Sequence, residues 1–179
     1  MTLDPTDTRR PTSAIALALE AVAPLRIDPA NFSSASVQSI VLAAKDELDR
    51  RYGPATDPTS LKAADFTPPL GEFLVARVDD HLAGGVGLRT VAPDIAEIKR
   101  LWVRPDLRRS GIGAALMTRA VADARVFGAR LVMLETGPLQ PEAVALYVSQ
   151  GWRRVDHLPV GEHGHPESIR FTLELDPTT

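Results

Sequence analysis

The stretch RPDLRRSGIGAALM, residues 104–117, places two adjacent arginines, a serine and two glycines directly before an alanine-rich apolar pattern. Glycine destabilises a helix by about 1 kcal/mol relative to alanine, so its presence at a helix start needs a compensating interaction. The unpaired N–H groups at a helix N-terminus attract anions, and glycines let a phosphate come close to the backbone. The stretch therefore predicts a phosphate-binding loop in front of a helix.

The spacing of the glycines distinguishes this loop from two common nucleotide-binding loops. A Walker P-loop has a lysine followed by serine or threonine after its last glycine, and a dinucleotide-binding loop has a third glycine. Residues 104–117 contain neither signature. We therefore expect a diphosphate ligand of another kind. The alternative, at this point, is an ordinary glycine-containing loop with solvated arginines.

The composition is that of an ordinary globular domain. The 179 residues are 44% apolar and 24% charged, which suits one domain with a buried core. The formal net charge of −3 disfavours nucleic acid as a partner. The absence of cysteine excludes disulfide bonds, thiolate metal sites and a cysteine nucleophile.

The ends of the chain differ in composition from its middle. We expect residues 1–20 to form a flexible N-terminal extension, residues 21–175 to form the folded domain and residues 176–179 to form a C-terminal tail. An apolar run at 14–19 follows two arginines, as in a secretory signal, but it has only six residues before Glu20 ends it. No run approaches the roughly 20 apolar residues of a membrane span. A cytoplasmic protein without membrane association is therefore expected.

Apolar periodicity predicts a single domain of the α/β (α+β) class, with a mixed central β-sheet flanked by helices. The unit that spans 96–136 should be right-handed with parallel strands. Helical spacing occurs at residues 36–52, about 110–127 and 141–150, and strand-like runs at 21–28, 72–78, 82–90, 96–103, 131–136, 152–157 and 168–175.

Two of these runs, 72–78 and 82–90, are joined by Asp79-Asp80-His81 and read as a hairpin. Its second strand contains Gly84, Gly85 and Gly87. Glycines inside a strand predict a bulge or the close approach of another backbone.

Three segments, in this order, resemble motifs of the GNAT family of acyl-CoA-dependent N-acyltransferases. RxxGxG at 108–113 resembles the pyrophosphate-binding loop of the family, and EIKRLWVRP at 97–105 resembles the strand and turn that precede it. AxxLYxxxGW at 143–152 is similar to the end of a later helix of the family. The resemblance extends over roughly residues 21–175 and implies the GNAT fold, with acetyl-CoA as co-substrate and no metal.

The resemblance implies a function. Acetyl-CoA would donate its acetyl group directly to a primary amine of a small molecule or peptide in a ternary complex, which agrees with the absence of a cysteine nucleophile. The alternatives are a non-catalytic acyl-CoA-binding regulatory module and a protein that binds another diphosphate ligand. The edges of the last strands would allow pairing in a homodimer.

The family motifs also imply which residues hold the cofactor. Backbone amides of the loop would bind the diphosphate, and the N–H of Val103 would polarise the thioester carbonyl. Gln140 stands where many family members have asparagine, which changes the reach of this amide. The implied cofactor-binding residues are Leu101, Val103, Arg108, Arg109, Ser110, Gly111, Ile112, Gly113 and Gln140.

Two residues are implied in catalysis. Tyr147 matches the tyrosine that protonates the leaving thiolate in many members, and its alternative is core packing on an apolar helix stripe. Glu97 is the first candidate for the base that accepts the amine proton through water, and its alternative is an exposed strand carboxylate in an ion pair. Glu135 and Thr136 at the end of the next strand are second choices.

Histidines and tryptophans receive structural interpretations. His163 and His165 lack acidic companions at matching spacing, so no metal site is expected there. The loop at 158–167 is expected to contact the substrate or another subunit. Trp102 and Trp152 are expected to anchor the core rather than to stack on bases.

Overall fold

The computed structural model describes residues 24–54, 61–160 and 167–176. The predictions made for residues 1–20 and for His163 and His165 lie outside the described residues. The predicted domain boundaries stay predictions.

In the described part of the chain, seven strands form one sheet in the order β1-β2-β3-β4-β5-β7-β6. Only β4 and β5 pair in parallel, as predicted for residues 96–136, and all other neighbours are antiparallel. The mixed sheet confirms the predicted fold class, while the handedness of the parallel unit stays a prediction. The strands are β1 (Leu25–Ala30), β2 (Gly71–Val78), β3 (His81–Ala92), β4 (Ile95–Val103), β5 (Leu131–Thr136), β6 (Arg153–Val155) and β7 (Ile169–Glu174).

Three α-helices lie in the described ranges: α1 (Ala35–Tyr52), α2 (Ile112–Val126) and α3 (Pro141–Ser149). Helix α1 begins as predicted, because the Ser34 hydroxyl accepts a hydrogen bond from the N–H of Val37 at 3.4 Å. Helix α2 begins two residues later than predicted, because Gly111 adopts a left-handed conformation with φ of 87°. None of the described helices is long and apolar enough to cross a membrane.

The limits of the outer strands differ from the predicted ones. Strand β1 begins at Leu25 and includes Pro29, which is tolerated because β1 is an edge strand. Strand β6, at the other edge, contains only Arg153–Val155 instead of the predicted 152–157. The homodimer expected from these edges stays a prediction.

Helix α2 packs on one face of the sheet and α1 on the other. The predicted stripe of Ile112, Leu116, Ala120 and Ala124 is buried in the larger core under α2. Burial of one such leucine contributes about 1.5–3 kcal/mol. Trp152 lies in this core, as predicted, whereas Trp102 packs against the smaller core under α1, which contains Phe32, Val37, Ile40, Phe66, Phe73 and Val75.

The predicted hairpin of β2 and β3 is present, with a two-residue turn because His81 already belongs to β3. Asp79 and Asp80 both have positive φ, at 48° and 61°, which matches the right-handed twist of the strands. A Cβ on Gly87 would lie 2.5 Å from the ring of Phe66, and one on Gly84 would lie 2.5 Å from the carbonyl oxygen of Trp102. The predicted close approach of another backbone is confirmed at Gly84, whereas the group nearest Gly87 is a side chain.

Strands β4 and β5 separate after a short parallel contact. Their pairing covers Ile95 to Glu97 on β4 and ends there, although β4 continues to Val103. Beyond it, β4 contains a bulge in which Arg100 and Leu101 together oppose Val86 of β3. Arg100 has φ of 57°. The two strands therefore leave a gap between their carboxyl ends, where the candidate site lies.

Candidate active site

A cleft of about 900 Å³ occupies the gap between β4 and β5 and is closed by α1, α3 and the start of α2. Most of the residues predicted to bind the cofactor or to act in catalysis line this cleft. Leu101, Val103, Arg108, Arg109, Gly111, Ile112, Gly113, Glu135, Thr136, Gln140 and Tyr147 line it, whereas Ser110 and Glu97 do not.

The start of α2 opens onto the cleft. The N–H of Ala115 donates to the carbonyl of Gly111 at 3.0 Å, so the N–H groups of Ile112, Gly113 and Ala114 precede the first helical hydrogen bond. These three residues line the cleft. A Cβ on Gly113 would lie 3.5 Å from the Leu146 side chain, so a larger residue would fill the space between α2 and α3. The arrangement suits an extended anion.

The N–H of Val103 faces the gap. Arg104 donates its N–H to the carbonyl of Ala83 on β3 at 2.9 Å. Successive N–H groups along a strand point to opposite sides, so that of Val103 points away from β3 and toward the space that β5 has left. This N–H is therefore placed to donate to a group bound in the cleft.

The side chains of Arg108 and Ser110 form hydrogen bonds within the protein. Arg108 contacts both carboxylate oxygens of Glu47 on α1, at 3.1 and 2.5 Å, and donates from Nε to the carbonyl of Val103 at 3.0 Å. The Ser110 hydroxyl donates to the carbonyl of Leu107 at 2.6 Å. The Arg108 side chain thus joins the loop to α1, and the roles of Arg108 and Ser110 in cofactor binding stay predictions.

The end of α1 is tied to the loop that follows β5. Arg51 contacts Glu47 at 2.7 Å and Glu142 at 2.5 Å, and it donates to the carbonyl of Leu139 at 2.6 Å. The Tyr52 hydroxyl accepts a hydrogen bond from the N–H of Leu139 at 2.8 Å. Burial raises the pKa of Glu47, but Arg108 and Arg51 outweigh it and lower this pKa overall. Helix α1 thus forms a fixed wall of the cleft.

Gln140 shapes the same loop. Its Oε1 accepts hydrogen bonds from the N–H of Gly137 and from the hydroxyl of Thr136, both at 3.2 Å. The oxygen is therefore engaged within the protein. The role of Gln140 in cofactor binding stays a prediction.

Tyr147 lies in the core and also at the wall of the cleft. Its side chain lies in the core, 6% exposed, with the ring 5.5 Å from that of Phe171 in an edge contact, and it also lines the cleft. Burial raises the pKa of its hydroxyl, so the group stays protonated. The core contact agrees with the packing interpretation, and the role of Tyr147 as a proton donor stays a prediction.

The two glutamates proposed as bases are placed differently. Glu97 is buried, and its carboxylate contacts Arg89 at 2.7 Å through one oxygen and Lys99 at 2.9 Å through the other. It is thus ion-paired, as in its alternative interpretation, but not exposed. Glu135 lines the cleft and contacts Lys99 at 3.3 Å. Lys99 therefore lies between Glu97 and the cleft-lining Glu135.

A sequence profile of the acetyltransferase (GNAT) family matches residues 40–152. A protein named IAA acetyltransferase from Azospirillum brasilense is 34% identical over 145 residues, which cover 77% of this chain and 91% of that protein. The chain belongs to the GNAT family of acetyltransferases. The predicted family and the prediction of an acyltransferase are confirmed.

Solved structures of GNAT proteins share the fold. An acyl-CoA N-acyltransferase from Klebsiella pneumoniae has a TM-score of 0.70 at 21% identity, covering 84% of this chain and 97% of that one. An acetyltransferase from Bacillus subtilis, solved in complex with CoA, has a TM-score of 0.60 at 23% identity, covering 85% and 99%. At these identities the likeness shows the fold of the GNAT domain.

Sequence reasoning missed two parts of this GNAT site. The bulge at Arg100 and Leu101 has a local signal, because the apolar residues of the strand are spaced by three and then by two, at Ile98, Leu101 and Val103. The pairing of Glu47 with Arg108 has no local signal, because 61 residues separate the two.

Two further predictions concern metal binding and the loop at 158–167. Among the residues that the structure describes, no group of three or more histidines, aspartates or glutamates is placed to hold a metal ion. Glu167 and Ser168 line the cleft. The predicted role of the loop in substrate or subunit contacts stays a prediction, because residues 161–166 lie outside the described ranges.

Proposed function

We propose that this protein transfers the acetyl group of acetyl-CoA directly to a primary amine of a small molecule or peptide. The observation that carries the proposal is the continuity of one cleft, which joins the start of α2, the free edge of β4 and the side chains of Tyr147 and Glu135. Direct transfer requires both substrates to be held together in line. A single cleft between the separated strands meets this requirement.

The chain has the donors that acetyl-CoA requires. The N–H groups of Ile112, Gly113 and Ala114, with the dipole of α2, would hold the diphosphate, and Arg109 at the cleft wall would add positive charge. The N–H of Val103 would donate to the thioester carbonyl and stabilise the negative charge that develops on it. Leu101 would contact the cofactor beside Val103, and Ser110 would contribute through its backbone alone.

The reaction also requires the movement of two protons. Tyr147 would donate its proton to the departing thiolate, which is consistent with a buried, protonated hydroxyl at the cleft. Glu135 would accept the proton of the amine, either directly or through water. We prefer Glu135 to Glu97 as the base, because Glu97 does not line the cleft and both of its oxygens are ion-paired.

Thermal unfolding with and without CoA tests cofactor binding. The Tm of the wild type should rise with CoA, because a ligand that binds the folded state stabilises it. Gly111→Glu should abolish the rise, since it places a carboxylate beside the bound diphosphate. Gly128→Glu is the matched control, because Gly128 is also a positive-φ glycine with open space around it, at the other end of α2. A rise retained by Gly111→Glu would contradict this placement.

Release of the CoA thiol in the presence of a panel of amines tests the reaction itself. IAA is tested separately from the amines, because the relative from Azospirillum is named for it. CoA binding without thiol release for any acceptor would favour the acyl-CoA-binding module over the enzyme.

A further inference from the structure

Lys99 is a buried cation in the middle of β4. Its side chain is 9% exposed, and its Nζ lies 2.9 Å from Glu97 Oε1 and 3.3 Å from Glu135 Oε1. Removing three charged groups from water is costly, and buried ion pairs seldom stabilise a protein more than apolar side chains would. The presence of these charges next to the cleft therefore indicates a role other than stability.

Lys99 is anchored on the side away from the cleft. Glu97, which holds it there, also contacts Arg89 on β3, and Arg89 reaches Asp65 at 3.3 Å. Charges of alternating sign thus run across the sheet from Asp65 to Glu135. Lys99 and Glu135 are the members of this row that line the cleft.

Lys99 faces one carboxylate on each side. A cation this close to a carboxylate favours the ionised form, and two carboxylates without a cation between them favour the uptake of a proton. Lys99 separates Glu97 from Glu135, so its removal would leave two buried carboxylates on neighbouring strands of the same face. A protonated Glu135 would be unable to accept a proton from an amine.

We propose that Lys99 is a positioning residue, which keeps Glu135 ionised and directed into the gap between β4 and β5. The inference rests on the proposed function, in which Glu135 accepts the proton of the amine. On this inference, Lys99 extends the activity of the enzyme to lower pH. Lys99 would act through Glu135 and not on the substrate.

Other charged groups face the same region as Lys99 and Glu135. Arg170 of β7 pairs in register with Glu135, yet its guanidinium donates to the carbonyls of Asp156 at 3.5 Å and Ser168 at 3.2 Å. The remaining charged side chains near this end of the cleft are Arg89 and Glu97 on the sheet and Glu47, Arg100, Glu142 and Glu167 in the cleft wall.

The first test is the pH dependence of kcat/KM for an amine acceptor in the wild type, Lys99→Met and Lys99→Arg. Lys99→Met should move the acidic limb of the profile to higher pH by about one unit, which lowers the rate about tenfold at pH values on that limb and leaves the plateau at high pH unchanged. Lys99→Arg, which keeps the positive charge, should stay within about threefold of the wild type.

Lys45→Met is the matched control, because Lys45 also contacts a carboxylate, Asp49, but on the exposed surface of α1. Its profile should follow that of the wild type. A loss of rate in Lys99→Met that is equal at every pH, or an equal loss in Lys99→Arg, would overturn the inference.

A second measurement does not depend on the acceptor. In Lys99→Met the buried carboxylates should bind protons more tightly in the folded state than in the unfolded state. Its stability in urea, relative to the wild type, should therefore fall as the pH rises from about 5.5 to 8.5. A constant difference across this range would refute the inference even if no acceptor is found. Absence of turnover in the wild type would refute the proposed function instead.

Discussion

The face of the sheet under α2 and the face under α1 are built from alternate residues of the same strands, yet they differ in chemistry. Along β4, Ala96 and Ile98 belong to the apolar core under α2, whereas Glu97 and Lys99 point to the opposite face and carry charges. The first face is covered by α2 and by residues of α3. The second is covered only in part, because the cleft opens between α1 and the separated strands.

This difference separates stability from activity. Apolar residues under α2 gain free energy from burial alone, whereas charged residues near the cleft are placed at some cost to stability. Substitutions on the α2 face should therefore change the free energy of unfolding, and substitutions around the cleft should change kinetics.

Leu116→Ala should have the largest effect on stability. Leu116 is fully buried under α2, and the cavity left by its truncation would lower the free energy of unfolding by about 3–5 kcal/mol. Unfolding in urea measures the loss. Leu42→Ala is the control on α1, because Leu42 is 58% exposed and should change stability by less than about 0.5 kcal/mol. Similar losses for the two variants would remove the distinction between core and surface.

Tyr147→Phe should lower kcat about 100-fold while changing stability by less than about 1 kcal/mol. Phenylalanine keeps the ring contact with Phe171 but lacks the proton that the thiolate requires. Steady-state kinetics with saturating acetyl-CoA measure the effect.

Tyr52→Phe serves as the control for Tyr147→Phe. Tyr52 also lines the cleft, but its hydroxyl accepts a structural hydrogen bond from Leu139. We expect its kcat to stay within about threefold of the wild type, because the Tyr52 hydroxyl has no part in the proposed proton transfers. The loss of its hydrogen bond should cost about 1 kcal/mol of stability. An unchanged kcat in Tyr147→Phe would leave that tyrosine with the packing role alone.

Glu72 is a charged exception near the apolar face. It is buried on β2, and burial together with the neighbouring Asp123 raises its pKa to about 7, against an opposing effect of Arg119. The folded state therefore binds a proton more tightly than the unfolded state, so the associated stability is present at low pH and is lost as the pH rises from about 4.5 to about 7.

Glu72→Gln should reduce this pH dependence. The variant should be more stable than the wild type by on the order of 1 kcal/mol at pH 8 and should lose the advantage at pH 5. Urea unfolding at the two pH values measures the difference. An equal difference at both values would show that the carboxyl group does not titrate in this range.

The two faces also differ in how much of them the sequence predicts. The helical stripe from Ile112 to Ala124 repeats at a local period, so its burial follows from the sequence alone. The loop at 108–113 is equally local. Strand alternation also places Glu97 and Lys99 on one face, but the contact of Lys99 with Glu135 depends on the register of β4 with β5.

Contacts between distant segments define the rest of the site. Arg108 is recognisable as part of a phosphate loop, but its side chain is directed to Glu47 by the position of α1 over the cleft. The contact of Arg108 with Glu47 depends on packing, which no short window of sequence contains. The contact of Glu97 with Arg89 spans only eight residues, but it depends on the register of β3 with β4.

The bulge in β4 makes the length of this strand as important as its composition. Before the bulge the even-numbered Ala96 and Ile98 pack under α2, whereas after it the odd-numbered Leu101 and Val103 do so. Deleting Arg100 would remove the bulge and leave Leu101 alone opposite Val86, so Leu101 and Val103 would keep their side of the sheet, but the strand would lose its local bend. The position should therefore matter for the path of β4 beside the gap, and loop grafts between relatives should preserve the spacing from Glu97 to Gly111.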